Sequence, residues 1–273
     1  MARVLESVGK DLLNENGVPT PEFMVAETAE EARSAAQKIG CPVVIKALVT
    51  AGKRGKAGAV RFAENPDEAA KTAEAILAMT VYNFPVKRVL IEKKLDISQE
   101  LYVSITHDPV QMGPVIIAST AGGIDIEEIA VARPEKILKY HVNMLKGFNL
   151  YEAKEIWSDL RLKGGVLQKA TSILWRLYQL FVKYDCTVIE INPLALTADA
   201  GLIAAAILMG VDDDALYRQP YFSEKVEAGS DRAWRPLTVL EKKMIEVDKT
   251  EAYRGTARYT EMEGGNIGFF CGG

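Results

Sequence analysis

The run Val43-Val44-Ile45-Lys46-Ala47-Leu48, followed by Ala51-Gly52-Lys53-Arg54-Gly55-Lys56-Ala57-Gly58, sets an amine inside an apolar strand and leads that strand into a loop of glycines and cations. A buried lysine needs an anionic partner, because an unpaired ammonium among apolar groups is costly. Three glycines and three cations in one loop let backbone N–H groups and positive charge close around phosphate. Together these features predict a nucleoside-triphosphate site. The alternative is a strand lysine that snorkels to water. Against it stand the apolar neighbours on both faces and the cationic loop at the strand's end. Neither GxxxxGK[ST] nor GxGxxG is present, so the P-loop and dinucleotide-fold readings fail on residue type.

Outward from this stretch the chain punctuates itself clearly. Val4, Leu5, Val8, Leu12 and Leu13 have helical spacing over residues 4–15, closed by Asn16-Gly17. Pro19-Thr20-Pro21 precedes a short strand at Phe23–Ala26. Thr28 with Glu31 is a capping-box pattern for a helix to about Ile39, with Gly40 as its stop. Arg61-Phe62 closes the loop, and Asn65-Pro66-Asp67-Glu68 opens a helix over 66–79. Val89-Leu90-Ile91-Glu92 is a strand. This βαβαβ-like run forms one unit from about residue 21 to 99.

Beyond it, Leu101–Ile105 and Pro114–Ala118 read as an antiparallel pair about a turn at His107-Asp108-Pro109. Helices are expected over about 151–161 and 166–184. Strands at Thr187–Asn192 and Leu202–Ala206 are joined by a hairpin turn at Thr197–Gly201. Residues 219–264 read as a linker carrying some helix, and Ile267–Phe270 as a last strand. The fold class is α+β.

The 273 residues suffice for one large or two ordinary domains. A net charge of −4 argues against nucleic acid or an anionic membrane as partner, and the local basic loop suits a small anion. Cys41, Cys186 and Cys271 are too far apart for a disulfide framework, which points to a reducing compartment: the cytoplasm, or the mitochondrial matrix in a eukaryote. No signal peptide opens the chain, and the apolar run Leu202–Val211 is too short to span a membrane.

Two further constellations carry chemistry. Val89–Glu92 leads into a hinge where backbone groups would meet an adenine edge, and Glu100 beyond it is placed to accept ribose hydroxyls. In Glu190-Ile191-Asn192-Pro193, positions i and i+2 of a strand share a face, so Glu190 and Asn192 present oxygens together while Ile189 and Ile191 enter the core. Hard Mg²⁺ takes few protein oxygens beside waters and nucleotide phosphates, which suits this pair.

These motifs occur in one order with Glu100-Leu101-Tyr102, Ala118-Ser119-Thr120-Ala121-Gly122-Gly123-Ile124-Asp125-Ile126-Glu127 and Asp213-Asp214-Ala215-Leu216-Tyr217-Arg218. The chain resembles the ATP-grasp (β) subunit of the succinyl-CoA synthetase superfamily, which includes malate–CoA ligase, citryl-CoA synthetase and ATP citrate lyase. The resemblance covers residues 1 to about 220 and resumes at Gly265-Asn266-Ile267-Gly268. It implies an ATP-grasp fold, with 1–20 and 100–237 as the larger subdomain and 21–99 as the smaller. Residues 238–273 would be a linker and the first strand of a truncated, flavodoxin-like CoA-ligase domain.

It also implies roles. Lys46, Lys53, Arg54 and Gly55 would hold ATP phosphates, Glu92 and Leu95 would meet the adenine at the hinge, and Glu100 the ribose. Asn192 would bind Mg²⁺. Glu190 would lie beside a phosphohistidine carried by a partner α subunit, which also holds CoA. The resemblance thus implies a hetero-oligomeric ligase that joins a small carboxylic acid (succinate, malate or citrate) to CoA. His107 and His141 lie in no carrier-like motif, which agrees with a carrier on another chain.

The chain departs from the family pattern in particular places. Ala206 stands where a second Mg²⁺ ligand, an aspartate, is usual; Leu208 replaces a lysine and Ala121 an acid. Gly272 replaces an asparagine in the acid-binding loop, which implies room for a carboxylate larger than succinate. These departures keep open an alternative: a nucleotide-binding subunit, catalytically weak or silent, with a structural or regulatory role.

Overall fold

The computed structural model describes residues 2–52, 54–123, 134–223, 225–226, 237–250, 259–262 and 264–268. Two sheets, each with its own apolar core, form two lobes.

The smaller lobe is a four-stranded antiparallel sheet of β2 (Phe23–Ala26), β3 (Val43–Ala47), β4 (Val60–Ala63) and β7 (Val89–Lys93), in the order β2-β7-β3-β4. Helices α2 (Ala29–Ile39) and α3 (Pro66–Leu77) cover one face. Thr28 accepts from the Glu31 N–H and Asn65 from the Glu68 N–H, satisfying amide donors that a helix start leaves open. Val43, Ile45, Ala47, Val89 and Ile91 point into the core beneath these helices. Alternation therefore turns Val44, Lys46, Leu90 and Glu92 to the opposite face. A minor pair, β5 (Thr80–Val81) and β6 (Phe84–Pro85), follows α3.

The larger lobe is a seven-stranded antiparallel sheet, in the order β1-β13-β11-β8-β9-β10 with β12 beside β11. Its strands are β1 (Ala2–Val4), β8 (Ile97–Asp108), β9 (Gly113–Ser119), β10 (Ile137–His141), β11 (Cys186–Thr197), β12 (Leu202–Ala204) and β13 (Ile207–Val211). Helices α4 (Leu150–Asp159) and α5 (Gly164–Lys183) pack on one face, burying Trp157, Leu174, Leu177 and Phe181 against Leu101, Val103, Ile105, Ile189 and Ile191. At the sheet's edge, α1 (Glu6–Glu15) approaches β13 closely, because a side chain at Gly9 would meet Ile207 at 3.0 Å.

Some elements differ from the sequence reading. The expected strand Leu202–Ala206 ends at Ala204, where the Ala205 N–H turns to the Pro193 carbonyl and the Ala206 carbonyl accepts from Asn192, and a further strand, β13, follows at Ile207–Val211. β1 and β10 appear where no strand was expected, and Val4 belongs to β1 instead of α1. The short α6 (Pro220–Ser223) and the helix α7 (Val239–Thr250) lie in the expected linker. Of the expected strand 267–270, Ile267 and Gly268 belong to no strand; Phe269, Phe270 and Gly272 lie outside the described residues. Among the described residues, no helix is long and apolar enough to cross a membrane.

Candidate functional site

The outward face of the smaller sheet packs against the larger lobe, where α1 and the Ala205 carbonyl meet Lys46 and Glu92. Lys46 and Glu92 occupy adjacent antiparallel strands, with Lys46 opposite Leu90 and Glu92 opposite Val44, so the two are diagonal neighbours on one face and form an ion pair. Glu6 and Lys10, one helical turn apart on α1, enter the same space. Lys46 Nζ lies 3.2 Å from Glu6 Oε1, and Lys10 Nζ lies 3.4 Å from the same oxygen. Lys10 also pairs with Glu92, and Arg54 pairs with Glu6. Both ammonium groups donate to the Ala205 carbonyl at 2.9 Å, and Arg54 Nη1 donates to the Ala47 carbonyl at 2.9 Å.

Three cations and two carboxylates thus form a seam between the lobes. The Lys10 side chain is wholly buried, and that of Arg54 is the most open at 13% exposure. Burial alone would raise the Glu6 carboxyl, but Arg54, Lys46 and Lys10 overcome this and hold it far below the usual carboxylate range. Burial likewise works against the Lys46 ammonium, yet Glu6 and Glu92 carry it above the ordinary lysine value. For Lys10, burial and the neighbouring Lys46 prevail, and its affinity for the proton falls below that of an ordinary lysine.

The loop after β3 is folded by its own backbone. The Ala59 N–H donates to the Arg54 carbonyl at 3.0 Å and the Gly58 N–H to Gly55 at 3.0 Å, with Gly58 in the left-handed region at φ +69°. Gly55 is exposed with open space about it, and Lys53 lies outside the described residues. At Gly52 the loop lies against Leu208, with 3.6 Å from an ideal Cβ to Leu208 Cδ1.

On the opposite wall, Glu190 stands across β11 from Leu208 on β13 and from Ser104 on β8. Its Oε2 accepts from the buried Tyr102 hydroxyl at 3.2 Å. Asn192 Oδ1 accepts from the Gly123 N–H at 2.8 Å, and the Asn192 N–H donates to the Ala206 carbonyl at 3.3 Å. Ala206 therefore sits beside Asn192 and brings a methyl group there. Among the described residues, no group of three His, Cys, Asp or Glu side chains is placed to hold a metal. The donors on this wall are one carboxylate and one amide oxygen. That set fits a Mg²⁺ arriving on phosphate oxygens and is too thin to hold the ion without them.

Toward the hinge, a hollow of about 350 Å³ is lined by Ile97–Glu100 and Thr120–Gly122. The Gly122 N–H donates to the Glu100 carbonyl at 2.8 Å. Glycine is required at 122, where a Cβ would fall 2.4 Å from the Leu101 carbonyl oxygen, and favoured at 123, whose φ of +74° lies in the left-handed region. Leu95, between β7 and β8, is half-buried, and its N–H and C=O have no backbone partner among the described residues. Glu92, by contrast, lies on a strand flanked on both sides, with its carboxylate committed to the two lysines.

The structure thus gathers Lys46, Arg54 and Glu92 at the seam, Glu190 and Asn192 on the facing wall, and Leu95 and Glu100 by the hinge hollow. Sequence reasoning missed Glu6, Lys10, Tyr102 and the Ala205 carbonyl. One signal was available: Glu6, Lys10 and Leu13 fall at i, i+4 and i+7, so both charges share the stripe of a leucine that is buried.

The family model of the ATP-grasp domain matches residues 3–196. The succinate–CoA ligase (ADP-forming) subunit beta of Methanothermobacter thermautotrophicus is 44% identical over 222 residues, which is 81% of this chain and 60% of that protein. The corresponding subunit of Ignicoccus hospitalis is 38% identical over 99% of this chain and 67% of its own length. The GDP-forming subunit beta of Thermus thermophilus is 39% identical over 98% and 67%. The chain thus spans about three-fifths to two-thirds of these curated relatives. Among solved structures, ATP citrate lyase from Methanothrix soehngenii, in complex with citrate and coenzyme A, superposes with a TM-score of 0.67 at 20% identity, covering 91% of this chain and 60% of that one. A dinucleotide-forming acetyl-coenzyme A synthetase from Ca. Korarchaeum cryptofilum gives 0.64 at 18% identity, covering 77% and 94%. By sequence and by fold, the chain belongs to the ATP-grasp family, in the group of succinate–CoA ligase β subunits.

Proposed function

We propose that this chain is the nucleotide-binding subunit of an ATP-dependent carboxylate–CoA ligase, working with an α subunit that carries CoA and a phosphorylatable histidine. The observation that carries this reading is that the Lys46–Arg54 cations and their loop lie against the strands that carry Glu190 and Asn192: Gly52 lies against Leu208, the neighbour of Glu190, and Lys46 bonds the Ala205 carbonyl beside Asn192's partner Ala206. Polyphosphate would lie along Lys46 and Arg54, whose charges neutralise it. The backbone N–H and C=O of Leu95 would take the adenine edge, and Glu100 beside the hollow the ribose. Lys53, Gly55 and Glu92 complete the proposed nucleotide site. Asn192 would add an oxygen to Mg²⁺ carried by the nucleotide, which supplies charge neutralisation at the phosphates.

The proposed sequence balances as two displacements and a thiolysis. A histidine nitrogen of the partner takes the γ-phosphoryl group and ADP leaves. The phosphoryl group then passes to a carboxylate oxygen, and the CoA thiol attacks the acyl carbon with loss of phosphate. Glu190, held by Tyr102, would accept the far N–H of that imidazole and keep the attacking nitrogen unprotonated. Positioning and charge neutralisation are the main protein contributions to such transfers. The acid is succinate, malate or citrate.

A second reading is favoured by Ala206 beside Asn192 and Leu208 beside Glu190, which put apolar groups where the reaction needs charge. On that reading the chain binds nucleotide and transfers little. Calorimetric titration with Mg-ATP, then γ-labelled ATP with the α partner, separates the two: labelled phosphohistidine supports the ligase, and binding without label supports the second reading. Acyl-CoA formation on the three acids then identifies the substrate. Lys46→Met should abolish nucleotide affinity, and unchanged binding in that variant would remove both readings.

A further inference from the structure

The seam holds two charged groups that the proposed chemistry does not use, Glu6 and Lys10. Glu6 contacts all three cations: Lys46 at 3.2 Å, Lys10 at 3.4 Å, and Arg54 through its second carboxylate oxygen. Its side chain is 2% exposed. Lys46 and Arg54, the cations proposed to hold phosphate, therefore have their charge satisfied by a carboxylate from the other lobe. We infer that Glu6 is a displaceable internal anion that competes for the phosphate-binding cations and exchanges with the nucleotide's polyphosphate. This deepens the proposed nucleotide site and rests on it.

Lys10 makes the exchange feasible. A carboxylate released from Lys46 and Arg54 would otherwise be buried and unpaired, a state that costs several kcal/mol. Lys10 lies one helical turn from Glu6 and already contacts it, and that pair lies within α1, independent of the smaller lobe. Glu6 can therefore pass from a contact between lobes to one within its helix while phosphate oxygens take over Lys46 and Arg54. Charge supports the exchange. The seam holds three cations against two carboxylates, an excess of one positive charge that draws in a polyphosphate anion. Glu92, bridging both lysines, stays in place and keeps the two amines together. Glu6 and Lys10 are positioning residues, and they set nucleotide affinity by competition.

The test measures Kd for inorganic tripolyphosphate, Mg-ATP and adenosine by calorimetry on the parent chain, Glu6→Gln, and the double variant Glu6→Gln/Lys10→Met. The double variant keeps the seam's net charge at the parent value. Both should bind tripolyphosphate and Mg-ATP about tenfold more tightly than the parent, the scale of one charge-assisted hydrogen bond no longer competing. Adenosine, which lacks phosphate, should bind all three equally. Equal or weaker tripolyphosphate binding in the variants, with a parent that binds, overturns the exchange and leaves the nucleotide site standing. A parent and variants that bind neither tripolyphosphate nor Mg-ATP remove the nucleotide reading as well. If circular dichroism shows neither variant folded, Glu6 is a fixed strut and the exchange is wrong.

Discussion

On one side of the cleft, Glu6, Lys10, Lys46, Arg54 and Glu92 are packed between the lobes and paired with one another, with two lysines sharing the Ala205 carbonyl. On the other, Glu190, Asn192 and Glu100 are half-buried along strands, each steadied by a neighbouring strand or loop. The same residue types serve different ends. In the seam, charge is withdrawn from water and each group depends on its partners, so the lobes are held together and the cations are occupied. On the strand face, charge keeps contact with solvent and remains available to a ligand. Burial separates these two roles more sharply than residue type does, because desolvation is what makes an ion depend on its partner.

Removing one acid from each side is the strongest way to break this contrast. Glu92→Ala leaves Lys10 and Lys46 sharing Glu6 and the Ala205 carbonyl, and the seam's excess rises from one positive charge to two. Breaking a buried ion pair from one side costs about 3–5 kcal/mol. Glu100→Ala on the strand face should cost less than about 1 kcal/mol. Urea denaturation midpoints measure both, and comparable losses would erase the distinction between seam and strand face.

Acid sharpens the same contrast with a smaller effect. Glu6 has a folded pKa well below its unfolded one, so the unfolded chain binds its proton first as pH falls. The stability Glu6 contributes is therefore fully present above the ordinary glutamate value of about 4.3 and is lost progressively below it. On the alkaline side the two lysines oppose each other. Lys46, raised, contributes stability that is lost as pH rises through its folded pKa, whereas Lys10, lowered, costs stability while protonated and relieves that cost on deprotonation. Thermal unfolding should thus fall steeply on the acid limb. Glu6→Gln should flatten the acid limb, and an unchanged acid limb in that variant would detach Glu6 from it.

The seam also marks the limit of what the sequence carries. The starts of α2 and α3 were legible because a cap is a local bond: Thr28 and Asn65 reach amides three residues away. Lys46 was legible because an amine among valines demands an anion, although the anions the structure supplies are Glu6 and Glu92. Glu6 and Lys10 were not singled out, since an i, i+4 pair on a short helix also describes a solvated surface; only the arrival of the smaller lobe buries it. β13 was hidden inside one apolar run, because the break at Ala205–Ala206 is made by bonds to Asn192 and Pro193 on another strand. β1 is three residues long and pairs with β13, some two hundred positions away, so local pattern had little to show.

A second small effect on stability is expected on the strand face, at Tyr102. Its ring is buried and its hydroxyl donates to Glu190 Oε2 at 3.2 Å. Tyr102→Phe keeps the ring and removes that donor, so the stability loss should stay near 1 kcal/mol, the scale of a single hydrogen bond. Function should register the change differently. Glu190 is proposed to meet the partner's imidazole, and without the Tyr102 donor it would orient that imidazole less well. Labelling of the carrier histidine should slow by about three- to tenfold, since loose positioning lowers rate without removing a reacting group. The Kd for Mg-ATP should not change, because Tyr102 lies across the cleft from the cations that hold polyphosphate. A variant that loses nucleotide affinity together with rate would place Tyr102 and Glu190 on the phosphate-binding side. The two walls would then act as one site, and the separation of closed seam from open face would describe burial without describing function.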